Sequence, residues 1–250
     1  MQPFKSAFIN EIEKIFKRKK IVVAIILSVV VIIFGQLIVS GVGLGLGIRM
    51  TNSSDFPVVV LSFFAGFILP LFTVMVTIDV FAGEYNANTM KLSLLRPISR
   101  FKLFSAKITA IAFFALFNLF VFLILSSIFG LIFNASYYTV FSVLRLLLAY
   151  IVTILPIMCF VLVTVILCHS LKNGTGIFFL LVLIYIVFNV ISAFVPQISS
   201  LLITYDLSWY NLFLINQIPL LKILRVFLIL SGYIIMLFSA GYYMFEKKMH

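Results

Sequence analysis

Long apolar stretches separated by short polar ones run the whole length of the chain. Stretches able to cross ~30 Å of hydrocarbon as helices lie at Ile21–Ser40, Phe56–Val80, Ile108–Phe133, Leu146–Cys168, Ile177–Val195 and Ile223–Met244. The segments between them are too short to hold a soluble domain. The pattern therefore predicts an all-α integral membrane fold, six transmembrane helices forming one domain over residues 1–250.

Two segments break this rhythm. Over residues 1–20, Phe4, Phe8, Ile9, Ile12, Ile15 and Phe16 share one side of a helical wheel, and Ser6, Asn10, Glu13, Lys14 and Lys17 share the other. This is the signature of an amphipathic interfacial helix lying along a membrane surface, with Lys5 snorkelling out of the apolar side. Over 196–222, apolar residues are interrupted by Gln197, Asp206, Asn211, Asn216 and Gln217. A seventh crossing there would carry Lys247 and Lys248 to the opposite side. The expectation is instead a broken re-entrant segment before the last span, split near Tyr205–Ser208, with Tyr205, Trp209 and Tyr210 at headgroup level.

Basic residues set the orientation. Lys5, Lys14, Lys17, Arg18, Lys19 and Lys20 precede the first span. Lys91, Arg96, Arg100, Lys102 and Lys107 separate the second from the third, Lys172 separates the fourth from the fifth, and Lys247 and Lys248 follow the sixth. Arg49, Arg145, Lys222 and Arg225 stand on the other side. The richer side is predicted to be cytoplasmic, placing both termini there. Residues 196–222 would then lie on the outer side.

Composition agrees. Hydrophobic residues make up 64% of the chain and charged residues 10%, and mean hydropathy is +1.28, whereas soluble domains are about 45–50% apolar. The net charge of +11 is spread over short loops, which argues for contact with the lipid bilayer and against a nucleic-acid-binding face.

Catalytic chemistry is sparse. The seven acidic residues, Glu11, Glu13, Asp55, Asp79, Glu84, Asp206 and Glu246, make no close pair within a span for general acid–base work. No HExxH, GxSxG or phosphate-binding GxxxxGK[ST] occurs. Cys159, Cys168 and His169 lack the further ligands a metal needs and read as packing residues. The chain is expected to be no enzyme, with no cofactor or metal of its own. Gly41–Gly45 and Gly43–Gly47 have the spacing that lets helices approach closely.

The segment between the second and third spans, 81–107, is the most informative. Asn88 can cap a short helix bearing Met90, Leu92, Leu94 and Leu95. Pro97 ends it by disfavouring helix at Arg96, and Ser99 can cap the next helix. Read physically, this is either a short helix held between caps that can dock in a partner's groove or a solvated basic loop that only satisfies the topology. Glu84, Thr89, Arg96, Pro97, Ser99, Arg100 and Lys107 stand in an order and spacing that resembles the loop of ABC-2 type permeases, the membrane subunits of ABC exporters. Asn88 stands where that family commonly has Gly.

The resemblance implies a bacterial cell-membrane exporter subunit. It would pair with a second copy of itself or a similar permease and bind two separate ATPase subunits, which carry the ATP and Mg. It implies that Glu84, Thr89, Lys91, Arg96, Pro97, Ser99 and Arg100 couple to the ATPase, with Glu84 paired to Lys91, Arg96 or Arg100 in an exposed interaction of small worth. Pro70 and Pro156, which must bend their spans, and Asn118 and Asn189 are the candidates to border the translocation cavity. Gly35, Gly41, Asn189 and Ser192 suggest contact between copies through the first and fifth spans. The many Phe residues and the scarcity of buried charge suit an amphipathic or lipid-like cargo: an antimicrobial peptide, a drug or a lipid-linked molecule. An ion- or proton-coupled secondary transporter and a membrane scaffold protein are the alternatives.

Overall fold

The computed structural model describes residues 2–18, 26, 29–35, 55–86, 98–133, 139–171, 173–195, 201–215 and 219–248. All regular structure among them is helical: α1 (Gln2–Phe16), α2 (Phe56–Phe63), α3 (Leu69–Asn86), α4 (Arg100–Phe133), α5 (Val140–Val152), α6 (Ile154–Ser170), α7 (Gly174–Phe194), α8 (Ile203–Asp206) and α9 (Leu220–Lys248). Among the described residues, five helical units are long and apolar enough to cross a membrane: Phe56–Tyr85, Arg100–Ile132, Val140–Ser170, Gly174–Ser192 and Leu220–Lys248. They correspond to the second through sixth spans read from the sequence. Of the first, Ile21–Ser40, only 26 and 29–35 are described, and these are helical; the rest lies outside the described residues.

Each proline within a span leaves a local mark. Pro70 cannot donate to the carbonyl four residues earlier. The turn just before it, Phe64–Ile68, widens to π geometry, with the Leu69 N–H bonded to the Phe64 carbonyl; this is the usual local answer to a lost helix bond. Pro156 has a parallel effect. The fourth span divides at Thr153 into α5 and α6, and it begins at Val140 rather than the expected Leu146. Both prolines are buried in the chain.

Threonines in the spans return their hydroxyls to the backbone. Thr73 donates to the carbonyls of Leu69 and Pro70, Thr77 to Thr73, and Thr164 to Phe160, so these three hydroxyls are satisfied within their own helices.

The packing forms two main apolar clusters. One gathers Phe81, Phe104, Val165, Ile177 and Phe245, from α3, α4, α6, α7 and α9. The other, nearer the far ends of the spans, holds Phe56, Phe64, Phe122, Tyr150 and Ile157. The Tyr150 hydroxyl donates to the Pro57 carbonyl at 2.8 Å, tying α5 to α2.

Helix α1 lies against α4, with Phe8 edge-on to Phe113 and Phe16 edge-on to Phe114 and Phe117. The wheel is turned slightly from the sequence expectation. Ala7, Glu11 and Ile15 point inward, while Ile9 is 44% exposed. An acidic side chain in the middle of the inward stripe demands a partner, and its partner defines the site below.

The segment expected to be broken has two short turns, α8 and a 3₁₀ turn at Trp209–Phe213, with Leu207 and Ser208 between them. They sit at the end of the bundle opposite α1.

Candidate functional site: a buried ring of four charges

Lys107 is fully buried in the first turns of α4, where an unpaired ammonium would be prohibitively costly. Its Nζ lies 2.7 Å from Glu84 Oε2 at the end of α3 and 2.9 Å from Glu11 Oε2 on α1. The opposite oxygens of the same two carboxylates are joined by Lys14, 2.9 Å from Glu84 Oε1 and 2.8 Å from Glu11 Oε1. Acid and base alternate around a closed ring with no net charge. Glu11 and Glu84 are buried, whereas Lys14 keeps its side chain 45% exposed.

Local structure explains the convergence. Glu11 and Lys14 are three residues apart, neighbours on one helix face. Glu84 lies one turn beyond the inward-facing Val80 and Phe81. Lys107 is a whole two turns into α4, which starts at Arg100 with Ser99 in the N-cap position, its carbonyl accepting from Leu103 N–H. The Phe81 ring lies 5.9 Å below the ammonium and closes the site toward the membrane interior. Burial alone would lower the pKa of Lys14, but its bonds to Glu11 and Glu84 outweigh this and hold the ammonium above its ordinary range.

A second ion pair braces the same end. Arg18 Nη1 lies 3.0 Å from Asp79 Oδ2, and Nη2 donates to the Asp79 carbonyl. Lys248 at the end of α9 donates to the His169 carbonyl and sits 4.5 Å from the centre of the Tyr85 ring. The C-terminal half of α1, the end of α3, the start of α4 and the ends of α6 and α9 are thus fastened together where residues 87–99 depart.

Of the residues anticipated to couple to a partner, Glu84 is in the ring, and Ser99 and Arg100 open α4. Thr89, Lys91, Arg96 and Pro97 lie outside the described residues. Glu84 is 6% exposed, so its pairing is a buried network and not the exposed interaction expected. Removing one member of a buried pair costs about 3–5 kcal/mol, far more than at a surface. Sequence reasoning missed Glu11 and Lys14 as site residues and took Lys107 only as part of the family's loop pattern, not as a coupling residue. The available signal was Glu11 itself, an acid placed four residues from both Ala7 and Ile15 on the inward side. Among the cavity candidates, Pro70, Asn118 and Pro156 are buried and Asn189 is exposed. Both amides donate to their own helix, Asn118 to Phe114 and Asn189 to Tyr185.

Residues 7–177 match the family described as ABC-2 family transporter protein, a stretch that contains the ring, α2 to α6 and the loop between α3 and α4. The chain belongs to the ABC-2 transporter family. Permeases of that family generally work with ABC ATPase subunits. This chain is also 38% identical over 63 residues to the protein YhcI of Bacillus subtilis (strain 168). That similarity covers 25% of this chain and 20% of the relative, so the chain's match spans about a fifth of the relative's length.

Proposed function

We propose that this chain is the permease subunit of an ATP-driven exporter, acting with two ATPase subunits on separate chains and moving an amphipathic or lipid-like substrate outward. The ring of Glu11, Lys14, Glu84 and Lys107 carries this reading. It ties the two helices flanking residues 87–99 to α1, so a push on that loop turns three elements as one body. A closed set of charge-assisted bonds in a low-dielectric site resists shear better than apolar contact alone, because each bond fixes distance and direction. The ring end is cytoplasmic in this reading, as the distribution of Lys and Arg requires.

A second copy of the chain, or a similar permease, completes the pathway. Only 11% and 6% of the most apolar windows of Gly174–Ser192 and Leu220–Lys248 are buried, against 44–56% for the other three spans. Asn189 is exposed on the first of these helices, and an amide within a span is better accommodated against another helix than against lipid. Purifying the chain together with a candidate ABC ATPase from the same cell tests the assignment. Stimulation of ATP hydrolysis by the permease supports it; failure to bind or stimulate the ATPase rejects it in favour of a secondary transporter or a scaffold.

A further inference from the structure

At the far end of the bundle, the missing hydrogen bond of Pro156 has been supplied from another part of the chain. Proline leaves the carbonyl of residue 152 without its helical donor. Trp209 Nε1 donates to that oxygen at 3.0 Å. The turn carrying Trp209 packs on α5 and α9, and the preceding α8 packs on α6 and α7, so the short segment bridges the break in the fourth span. Trp209 is 5% exposed, against Cys159 and Leu230.

Beneath this bridge lies an unpaired acid. Asp206 is 3% exposed, and its Oδ2 is buried with no hydrogen-bond partner; the Thr204 hydroxyl, 6% exposed, has none either. A carboxylate in such a place must either keep its proton or draw water in. We propose that the segment Ile203–Phe213 is a proton-controlled latch: protonated Asp206 keeps it seated across the broken fourth span, and the charged form lifts it and releases the Val152 carbonyl.

The surroundings favour this over a fixed ion pair. Cys159 of α6 and Tyr233 of α9 lie within electrostatic reach of Asp206, Tyr185 stands on α7, and Tyr205 and Tyr210 are on its own segment; Arg145 of α5, which packs on the same segment, lies over the Phe141 ring, 4.2 Å from its centre. No thiol or phenol among these can carry the positive charge that would pair with a carboxylate. Lys222 and Arg225, near the start of α9, are exposed. Burial pushes the Asp206 carboxyl up to about 7. The sign follows from linkage. The seated state has its full advantage below about 4, where Asp206 is protonated whether seated or released, loses it progressively up to about 7, and has none of it left above that. With the ring end cytoplasmic, as proposed above for the function, the proton being read is that of the external medium.

Trp209 is the chain's single tryptophan, so its fluorescence reports the latch directly and without any transport assay. The full-length protein in lipid nanodiscs is titrated from pH 4 to pH 8, following emission wavelength, acrylamide quenching and helix content. The latch predicts a red shift and stronger quenching as pH rises, with helix content constant. Asp206→Asn, an uncharged stand-in for the protonated acid, should keep Trp209 protected throughout. A flat native titration, a transition that survives in Asp206→Asn, or one accompanied by loss of helix would overturn the proposal. The native titration decides on its own if the variant does not fold.

Discussion

The Lys107 ammonium lies 2.7 Å from the Glu84 carboxylate, two side chains 23 residues apart on either side of the loop between α3 and α4. This contact makes the two helix ends one mechanical unit. With Glu11 and Lys14 completing the ring, the amphipathic helix α1 joins the same unit.

Breaking the ring should cost stability in proportion to burial. Lys107→Met leaves the buried carboxylates of Glu11 and Glu84 to share the single ammonium of Lys14 and is expected to destabilise the protein by about 3–5 kcal/mol. Pairing it with Glu84→Gln restores charge balance and should recover much of the loss. Thermal unfolding in detergent of the native protein, the single variant and the double variant measures this directly.

Lys14 should matter less. Its side chain is 45% exposed, and truncation to Ala is expected to cost under about 1 kcal/mol, in the manner of surface pairs. A lysine whose folded pKa is raised contributes stability that is present below its ordinary value of 10.5 and is lost as pH rises through the folded value. The gap in melting temperature between native protein and Lys14→Ala should therefore hold at pH 8 and narrow above pH 10.5.

Trp209 and Pro156 should be energetically coupled. Trp209→Phe strands the Val152 carbonyl and is expected to cost about 1 kcal/mol from the lost hydrogen bond, besides any packing loss. In a Pro156→Ala background the restored N–H can serve that carbonyl, and the same change should cost less. A double-mutant cycle on melting temperature gives the coupling; additive effects would show that the indole bond carries no weight.

Orientation can be mapped independently. Cysteines introduced at positions 52, 137 and 208 are expected to react with an impermeant maleimide applied to intact cells, and those at 88, 173 and 248 to be protected. Labelling at 248 from outside would reverse the assignment.

The apolar runs revealed the second to sixth spans because hydrocarbon imposes its length on any helix that crosses it. The loop residues flanking Pro97 pointed to the family because caps and turns leave local marks in sequence. The ring was harder to see. Its partners come from three helices, and helical periodicity cannot say which faces meet. Glu84 was legible as a helix-end acid, but its partners were sought in the nearby loop, whereas the tertiary fold brings Lys107, Lys14 and Glu11 to it. The division of the fourth span was only half legible. Pro156 marked the bend, but the tryptophan that completes it lies 57 residues away.

The central claim is that the ring transmits ATPase motion into the membrane helices. Spin labels on Ser208→Cys in the two copies of the permease would report the far end, in vesicles that also hold the ATPase, while ATP hydrolysis is read in the same sample. In native protein the distance between labels should change on ATP addition. In the charge-balanced Glu84→Gln/Lys107→Gln variant, hydrolysis should continue and the distance change should be lost. If that variant moves as far as native protein for each ATP hydrolysed, the ring does not couple the two.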